Sequence, residues 1–511
     1  MLTSNVTWLD LLCLACIGAF LVKQVLNKNP ASYPPGPRGW PLVGNIQAIP
    51  RIKPWLTFAE WGKKYGDISH VEILGQHIIV LNSVENAVNM LDKKGTVYSD
   101  RPVLPMGGEL VGWKSALALF PYGGRLHQSR KNIHQVIGNR AALCVYHPIE
   151  EIETRRFLKR VFSNPEQLQA HVRYTAGAII LRISHGYEVK ENNDPFIDLA
   201  DRAMDQFSRS TAPGAFMVDT MPFLANVPEW FPGAGFKRLA REWSKTREDM
   251  AAIPYKFVKD QMAAGIATMS FTSNLLEGRT LSAEQDDMVM WSAAGLYSGG
   301  ADWTASPIYS FFLAMTLFPD VQKKAQAEID AVVGPDEVFR WSVVGPTGAW
   351  ISFIVFFNCW AVSTAQLTAI PHRVTEDDIH DGYYIPKGSL VIPNIWFMLN
   401  DPRTYANPSQ FNPERFLDNN GKDPELEPRT ICFGFGRRVC PGLHLADTIV
   451  WISTVMSLAV FDISKVVEKG VEITPEVDHT SGTITHLKPF KCSIKPRSAK
   501  ATALIQQDVN Y

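Results

Sequence analysis

The chain has 511 residues, and its 46% hydrophobic and 20% charged residues are the proportions of a globular protein with a sizeable core. Lysine plus arginine (50) nearly cancels aspartate plus glutamate (51), which argues against nucleic acid or another polyanion as the partner. The seven cysteines, at 13, 16, 144, 359, 432, 440 and 492, are odd in number and lack paired spacing, so a reduced, cytosol-facing domain is expected rather than a disulfide scaffold.

Trp8 to Val22 is apolar apart from Asp10, and Lys23 and Lys28 follow it. No lysine or arginine precedes the run and no small-residue cleavage site follows it. Residues 1–28 therefore read as an uncleaved membrane anchor, with a signal peptide or a buried helix as the other readings. The basic residues keep their side of the anchor cytoplasmic. Residues 29–41 hold Tyr33-Pro34-Pro35-Gly36-Pro37-Arg38-Gly39-Trp40-Pro41. Proline fixes φ, so this stiff hinge suits holding a domain at a set angle to a membrane. Residues 42–498 read as one catalytic domain and 499–511 as a tail.

Within that domain, Val71 to Leu81 alternates around Gly75-Gln76 and predicts a hairpin. Helical patterns dominate from about 84 to 330. The aromatic stretch from Phe216 to Phe236 interrupts them, and it fits a membrane-surface loop, a substrate mouth or buried core. Ser282 with Gln285 forms a capping box for a long helix running to Phe318, where Pro319 stops it. Gly382–Ile385 and Ser389–Ile392 read as short strands around the turn Pro386-Lys387-Gly388. The last strong helix starts after Pro441-Gly442 and is apolar on most faces through Leu458, as a core helix is.

The chemistry concentrates at Phe433-Gly434-Phe435-Gly436-Arg437-Arg438-Val439-Cys440-Pro441-Gly442. Glycines let backbone approach a flat ligand closely, and arginines supply cations for carboxylates. The cysteine stands just before a helix N-terminus, where the dipole and free N–H groups favour thiolate over thiol. The segment resembles the heme-binding loop of the cytochrome P450 superfamily, with Phe433, Gly436, Arg438, Cys440 and Gly442 in register. Three further segments agree. Glu337-Val338-Phe339-Arg340 resembles the family's Glu-x-x-Arg, and Pro413-Glu414-Arg415-Phe416 resembles the partner motif whose arginine completes that ion network. Gly299-Gly300-Ala301-Asp302 resembles the oxygen-side bend of the long central helix.

The resemblance implies a mainly α fold with a small β region, behind the N-terminal anchor. Heme b would lie between the central helix and the cysteine loop, its iron held by the Cys440 thiolate. Phe433, Gly436 and Gly442 would shape the heme seat, and Arg438, Arg130 and Arg373 would meet the propionates. Asp302 and Thr304 would deliver protons, while Glu337, Arg340 and Arg415 would be structural. The implied reaction is insertion of one atom of dioxygen into a lipophilic small molecule. Electrons would come from a separate NADPH-dependent reductase, since the chain carries no flavin or nicotinamide fingerprint. The likeness is to fungal microsomal members, which implies an endoplasmic reticulum membrane, a single-pass anchor and a role in secondary metabolism. An isomerase or dehydratase using the same heme, and a heme-binding relic, are the competing readings.

Four departures bear on activity. Trp303 stands where the family usually has threonine, in the order Asp302-Trp303-Thr304, and Leu126 stands where tryptophan is usual, four residues before Arg130. Asp302 and Glu337 are closer in sequence than the resemblance leads one to expect, and Arg340 and Arg415 are farther apart. The excess maps to an atypical apolar insert over 349–369, with no charge between Arg340 and His372. A membrane crossing there would separate Glu337 from Cys440, so a gene-model error, such as a retained intron, is the favoured explanation and a tolerated insertion the other. The mature message is therefore expected to lack most of Ala349 to Ala369 and to encode charged helical sequence before Glu337. Sequencing the transcript across codons 330 to 375 checks this, and full heme occupancy by the chain as written would show that the fold tolerates both changes.

Overall fold

The computed structural model describes residues 30–334 and 369–507, apart from 42, 51, 192, 418–420 and 422, together with Gly18. The expected anchor, the Glu337–Arg340 motif and the 349–369 insert thus lie outside the described residues, save for Gly18 and Ala369. The hinge docks on the small sheet: His70 N–H donates to the Pro35 carbonyl at 3.0 Å, and Tyr33 stacks on His70 and His77.

The predicted hairpin is β1 (Ile68–Ile73) and β2 (Gln76–Leu81), antiparallel with Ile68 opposite Leu81. Its turn places Leu74 and Gly75 at φ 49° and 85°, the left-handed pair that a two-residue hairpin turn requires. The strands predicted around Pro386-Lys387-Gly388 form but do not pair with each other. Tyr383–Ile385 (β5) pairs with Asp378–His380 (β4), whereas Leu390–Pro393 (β6) runs parallel to β2 and antiparallel to His372–Arg373 (β3). A parallel neighbour lies too far along the chain for local turn chemistry to reveal it.

Two further two-stranded sheets lie near the C-terminus, Phe461–Ser464 with Ser493–Pro496 and Val466–Glu468 with Val471–Ile473. The longer helices are α1 (Pro54–Tyr65), α2 (Gly124–Ile137), α3 (His147–Ser163), α4 (Leu168–His185), α5 (Pro195–Thr211), α6 (Gly235–Ala263), α7 (Ala283–Leu317), α8 (Pro319–Val333) and α9 (Leu443–Val460). The capping box that opens α7 is present in both directions: the Ser282 hydroxyl takes the Gln285 N–H and Gln285 Oε1 takes the Ser282 N–H. Helix α7 is buried on most faces and packs against α4. A Cβ on Gly300 would lie 2.5 Å from Ile180 Cδ1 of α4, so a larger residue there would displace the Ile180 side chain. Helix α9 is long and apolar enough to cross a membrane, yet 72% of it is buried inside the fold, so it is a core helix.

One buried carboxyl interrupts the apolar contact between α3 and α9. Glu150 is 0% exposed; Thr448 Oγ1 donates to its Oε1 at 2.6 Å, while its Oε2 has no partner. Burial pushes this carboxyl up to about 8, and the Thr448 hydrogen bond offsets only part of that. The folded state therefore holds the proton more tightly than the unfolded chain. Stability falls as pH rises from the ordinary carboxyl range toward about 8. Glu150→Gln keeps the shape without the titration. It is expected to leave stability at pH 4 nearly unchanged and to raise it at pH 7 by on the order of 3 kcal/mol. Denaturant unfolding across that pH range is the measurement, and parallel curves for the two proteins would contradict the assignment.

Candidate active site

A cavity lies between α7 and the cysteine loop, and its upper wall is formed by two rows of α7 residues, Gly295, Gly299 and Trp303, then Leu296, Gly300 and Thr304, with Ser298 beside them. Both rows repeat every four residues, so they are adjacent stripes on one helix face. Thr304 reaches the wall beside Trp303 within an unbroken run of helix, with Pro307 inside it. Asp302 takes a different direction. It is buried against α4, where its Oδ1 lies 3.1 Å from Arg173 Nη2 and 3.5 Å from His486 Nε2, and it does not line the cavity.

The lower wall is the predicted loop. Gly436, at φ 55°, is pressed against the segment Val88–Lys93, where a Cβ would lie 2.2 Å from the Leu91 carbonyl oxygen. It seats the loop rather than facing the cavity, whereas Phe433, Gly434, Phe435 and Gly442 line it. The Cys440 N–H donates to the Phe433 carbonyl at 2.9 Å and closes the loop. Burial pushes the Cys440 thiol up; the Gly442 N–H and the Arg130 guanidinium pull it down by less. The helix start is therefore not enough by itself to make a thiolate. A coordinating cation deprotonates a thiol outright, so a buried sulfur of this kind suits a metal ligand.

Cations gather beside the sulfur. Arg438 donates from Nε to the Ser99 carbonyl and from Nη2 to the Phe120 carbonyl, both at 2.7 Å, while its buried Nη1 has no partner. Burial lowers its pKa to about 10, with Asp100 acting against that. Arg130 donates to the Val439 carbonyl at 2.8 Å. Arg373 does not join them. Its side chain is 41% exposed and lies 3.9 Å from Asp100, outside the cavity. Strand residues alternate in direction, so on β3 it is His372 that faces inward. His372 is buried and donates from Nδ1 to the Tyr98 carbonyl at 2.7 Å. Arg101, also buried at the wall, donates to the carbonyls of Ala118, Ile370 and Pro371 at 3.0, 2.6 and 2.9 Å. Sequence reasoning missed both residues: the alternation of β3 was an available signal for His372, and nothing local marks Arg101.

Leu126 is buried with Phe120 and Met288 and offers no donor to the cavity. Arg415 has each of its five N–H donors met, by the Ala406, Asn407, Gln410 and Asn412 carbonyls and by Glu425 at 2.8 Å. An ion pair from Arg415 to Glu337 would have to displace one of these.

The donor set specifies its ligand closely. Among the described residues no group of three or more His, Cys, Asp or Glu could hold a metal ion, so a metal on Cys440 needs a further ligand of its own. Arg101, Arg130, Arg438 and His372 around one cavity fit a ligand with carboxylates at its edge. The family model described as cytochrome P450 matches residues 34–345 and 363–493. The chain belongs to the cytochrome P450 family. It is 52% identical to cytochrome P450 monooxygenase 208 of Postia placenta, over 95% of this chain and 94% of that one. It is 44% identical to cytochrome P450 monooxygenase claR of Ampulloclitocybe clavipes, over 99% and 94%. A zebrafish cytochrome P450 solved with abiraterone shares the fold, with TM-score 0.69 and 20% identity over 87% of this chain and 100% of that one. The chain is thus a P450-type monooxygenase of the fungal type, and the family implies heme held by a cysteine thiolate.

Reduced protein under carbon monoxide is expected to show the far red-shifted Soret band of thiolate ligation. Cys440→Ser should abolish that band and Cys432→Ser should keep it. An unchanged spectrum for the Cys440 variant would falsify the assignment of the ligand.

Proposed function

We propose that this chain is a membrane-anchored monooxygenase that binds heme b on Cys440 and inserts one atom of dioxygen into a lipophilic small molecule. The observation that carries this reading is the cavity itself, with a buried sulfur and cations on one wall and the glycine face of α7 on the other. Heme bound there supplies reductive activation of dioxygen. The chain's own residues supply the surroundings. Arg438, with its unpartnered Nη1, together with Arg130, Arg101 and His372, would hold the propionates. Gly299 has nothing within 4 Å of where a Cβ would be, which leaves room on the oxygen side. Trp113, Leu117, Ile180, Met204 and Phe207 make the remaining wall apolar, in keeping with a lipophilic substrate.

Protons would pass through Thr304, whose hydroxyl both donates and accepts. Asp302 would serve from behind the wall, through its contacts with Arg173 and His486. Electrons would come from a separate NADPH-dependent reductase. Of the three roles open to the 216–236 stretch, exposure supports the membrane-surface loop: Phe223, Trp230 and Phe231 are 64%, 81% and 47% exposed. With the hinge and the expected anchor, this supports a single-pass protein of the endoplasmic reticulum with a cytosolic catalytic domain. The family match is interrupted over 346–362, a stretch that falls largely within the proposed insert.

Trp303 is the residue most at odds with efficient turnover. Its indole fills wall space beside Thr304, offers no acceptor, and leaves its N–H buried without a partner. Trp303→Thr is expected to raise the share of reducing equivalents that end in product rather than peroxide, measured with reductase, NADPH and a turned-over lipophilic substrate. An unchanged ratio at constant heme content would clear Trp303 as the obstruction. Absence of any oxygenated product from either protein would favour the isomerase, dehydratase or relic readings.

A further inference from the structure

The loop that presents Cys440 is entered from one helix and left by another. The short helix Arg429–Cys432 runs directly into it, and α9 begins at Leu443 directly after it. One ion pair joins these two helices: Arg429 Nη1 bonds Asp447 Oδ2, with side chains only 14% and 10% exposed. Arg429 is held in turn through Nε by Glu427. We propose that Arg429 and Asp447 are positioning residues that brace the cysteine loop, fixing its two ends so that the Cys440 sulfur stays in place as the thiolate ligand. The proposal rests on the heme reading given above.

Three observations carry it. The pair ties together the two helices that enter and leave the loop, whereas the Cys440 N–H to Phe433 bond ties the loop to itself and the bonds of Arg130 and Arg438 tie it to other elements. Glycines 434 and 436 both sit at positive φ, so the backbone between the helices is bent at two points and gains most from a fixed frame. Asp447 is also poorly served without Arg429: its Oδ1 is buried with no partner. Burial pushes the Asp447 carboxyl up to about 6, and Arg429 is the largest influence holding it down. Deleting the guanidinium would leave an unpaired buried acid behind the sulfur. The half-buried Cys432 thiol is near enough to feel both charges.

A brace and a merely structural ion pair respond differently when both charges are replaced by apolar groups of similar size. Such a replacement removes the unpaired-charge penalty and restores packing, but it does not restore a directional tie. The test uses full-length, heme-loaded protein in three variants: Arg429→Met, Asp447→Leu, and the double variant. Two quantities are read, the denaturant midpoint of the fold and the lifetime at 37 °C of the thiolate-type Soret band of the reduced carbon monoxide complex. The proposal expects each single variant to shorten the band lifetime at least tenfold at equal starting heme content. It expects the double variant to recover the unfolding midpoint but not the lifetime. Recovery of both in the double variant, or unchanged lifetimes in the single variants, overturns it. Where a single variant does not fold, Arg429→Lys decides. It keeps the charge but not the fork geometry, and is expected to shorten the lifetime about threefold with the midpoint unchanged; an unchanged lifetime overturns the proposal. A wild-type protein without the thiolate band would instead refute the heme reading itself.

Discussion

Three guanidinium groups and an imidazole at the wall of one largely buried cavity are the constraint on which the rest of this molecule turns. Arg101, Arg130 and Arg438 are each desolvated, and burial lowers the pKa of all three. Most of their hydrogen bonds go to backbone carbonyls, which satisfy donors without neutralising charge. Asp100 offsets the burial of Arg101 and Arg438 only in part, so an anionic ligand is favoured here, and a ligand that binds the folded state alone stabilises it by mass action. The fold and its cofactor are therefore best regarded as one thermodynamic unit. The cationic wall, the buried sulfur and the loop between them have little reason to exist separately.

Helix α7 does three things at once, because a helix presents its residues on distinct stripes. Two stripes supply the cavity wall, and a third carries Asp302 toward Arg173 on α4. Glycine at 300 leaves room for the Ile180 side chain of α4, while glycine at 299 leaves the cavity face open. Placing tryptophan at 303 spends part of that opening on an indole. This changes the chemistry of the wall without changing the path of the helix, which is why the family fold survives the departure.

The exposed aromatics around 216–236 and the hinge at 30–41 have no counterpart in the core. Single exposed apolar side chains are ordinary, but Phe223, Trp230 and Phe231 put three large aromatics outward within one stretch, and clustering of that kind marks an interaction surface. The hinge reaches the sheet through Tyr33, so whatever orients the N-terminus also orients the catalytic domain.

The sequence by itself determined the features that depend on neighbours in the chain. The capping box at Ser282, the presence of the first hairpin (though its turn falls at Leu74-Gly75, one residue before the expected Gly75-Gln76), the core character of α9 and the register of the cysteine loop are all local, and local propensity and motif spacing report them directly. Arg438 was legible for the same reason, being two residues from the cysteine. Tertiary structure alone decided which distant groups meet. Arg373 and His372 are adjacent in sequence and carry similar chemistry, but strand alternation sends one to the surface and the other into the cavity. Arg101 comes to the wall from far along the chain, guided by carbonyls of Ala118, Ile370 and Pro371 that no motif links to it. Asp302 and Thr304, paired in the sequence reading, are parted because two residues turn about 200° around a helix. The pairing of Arg429 with Asp447 likewise arises only once two helices are brought together, because an ion pair across a fold leaves no period in the sequence.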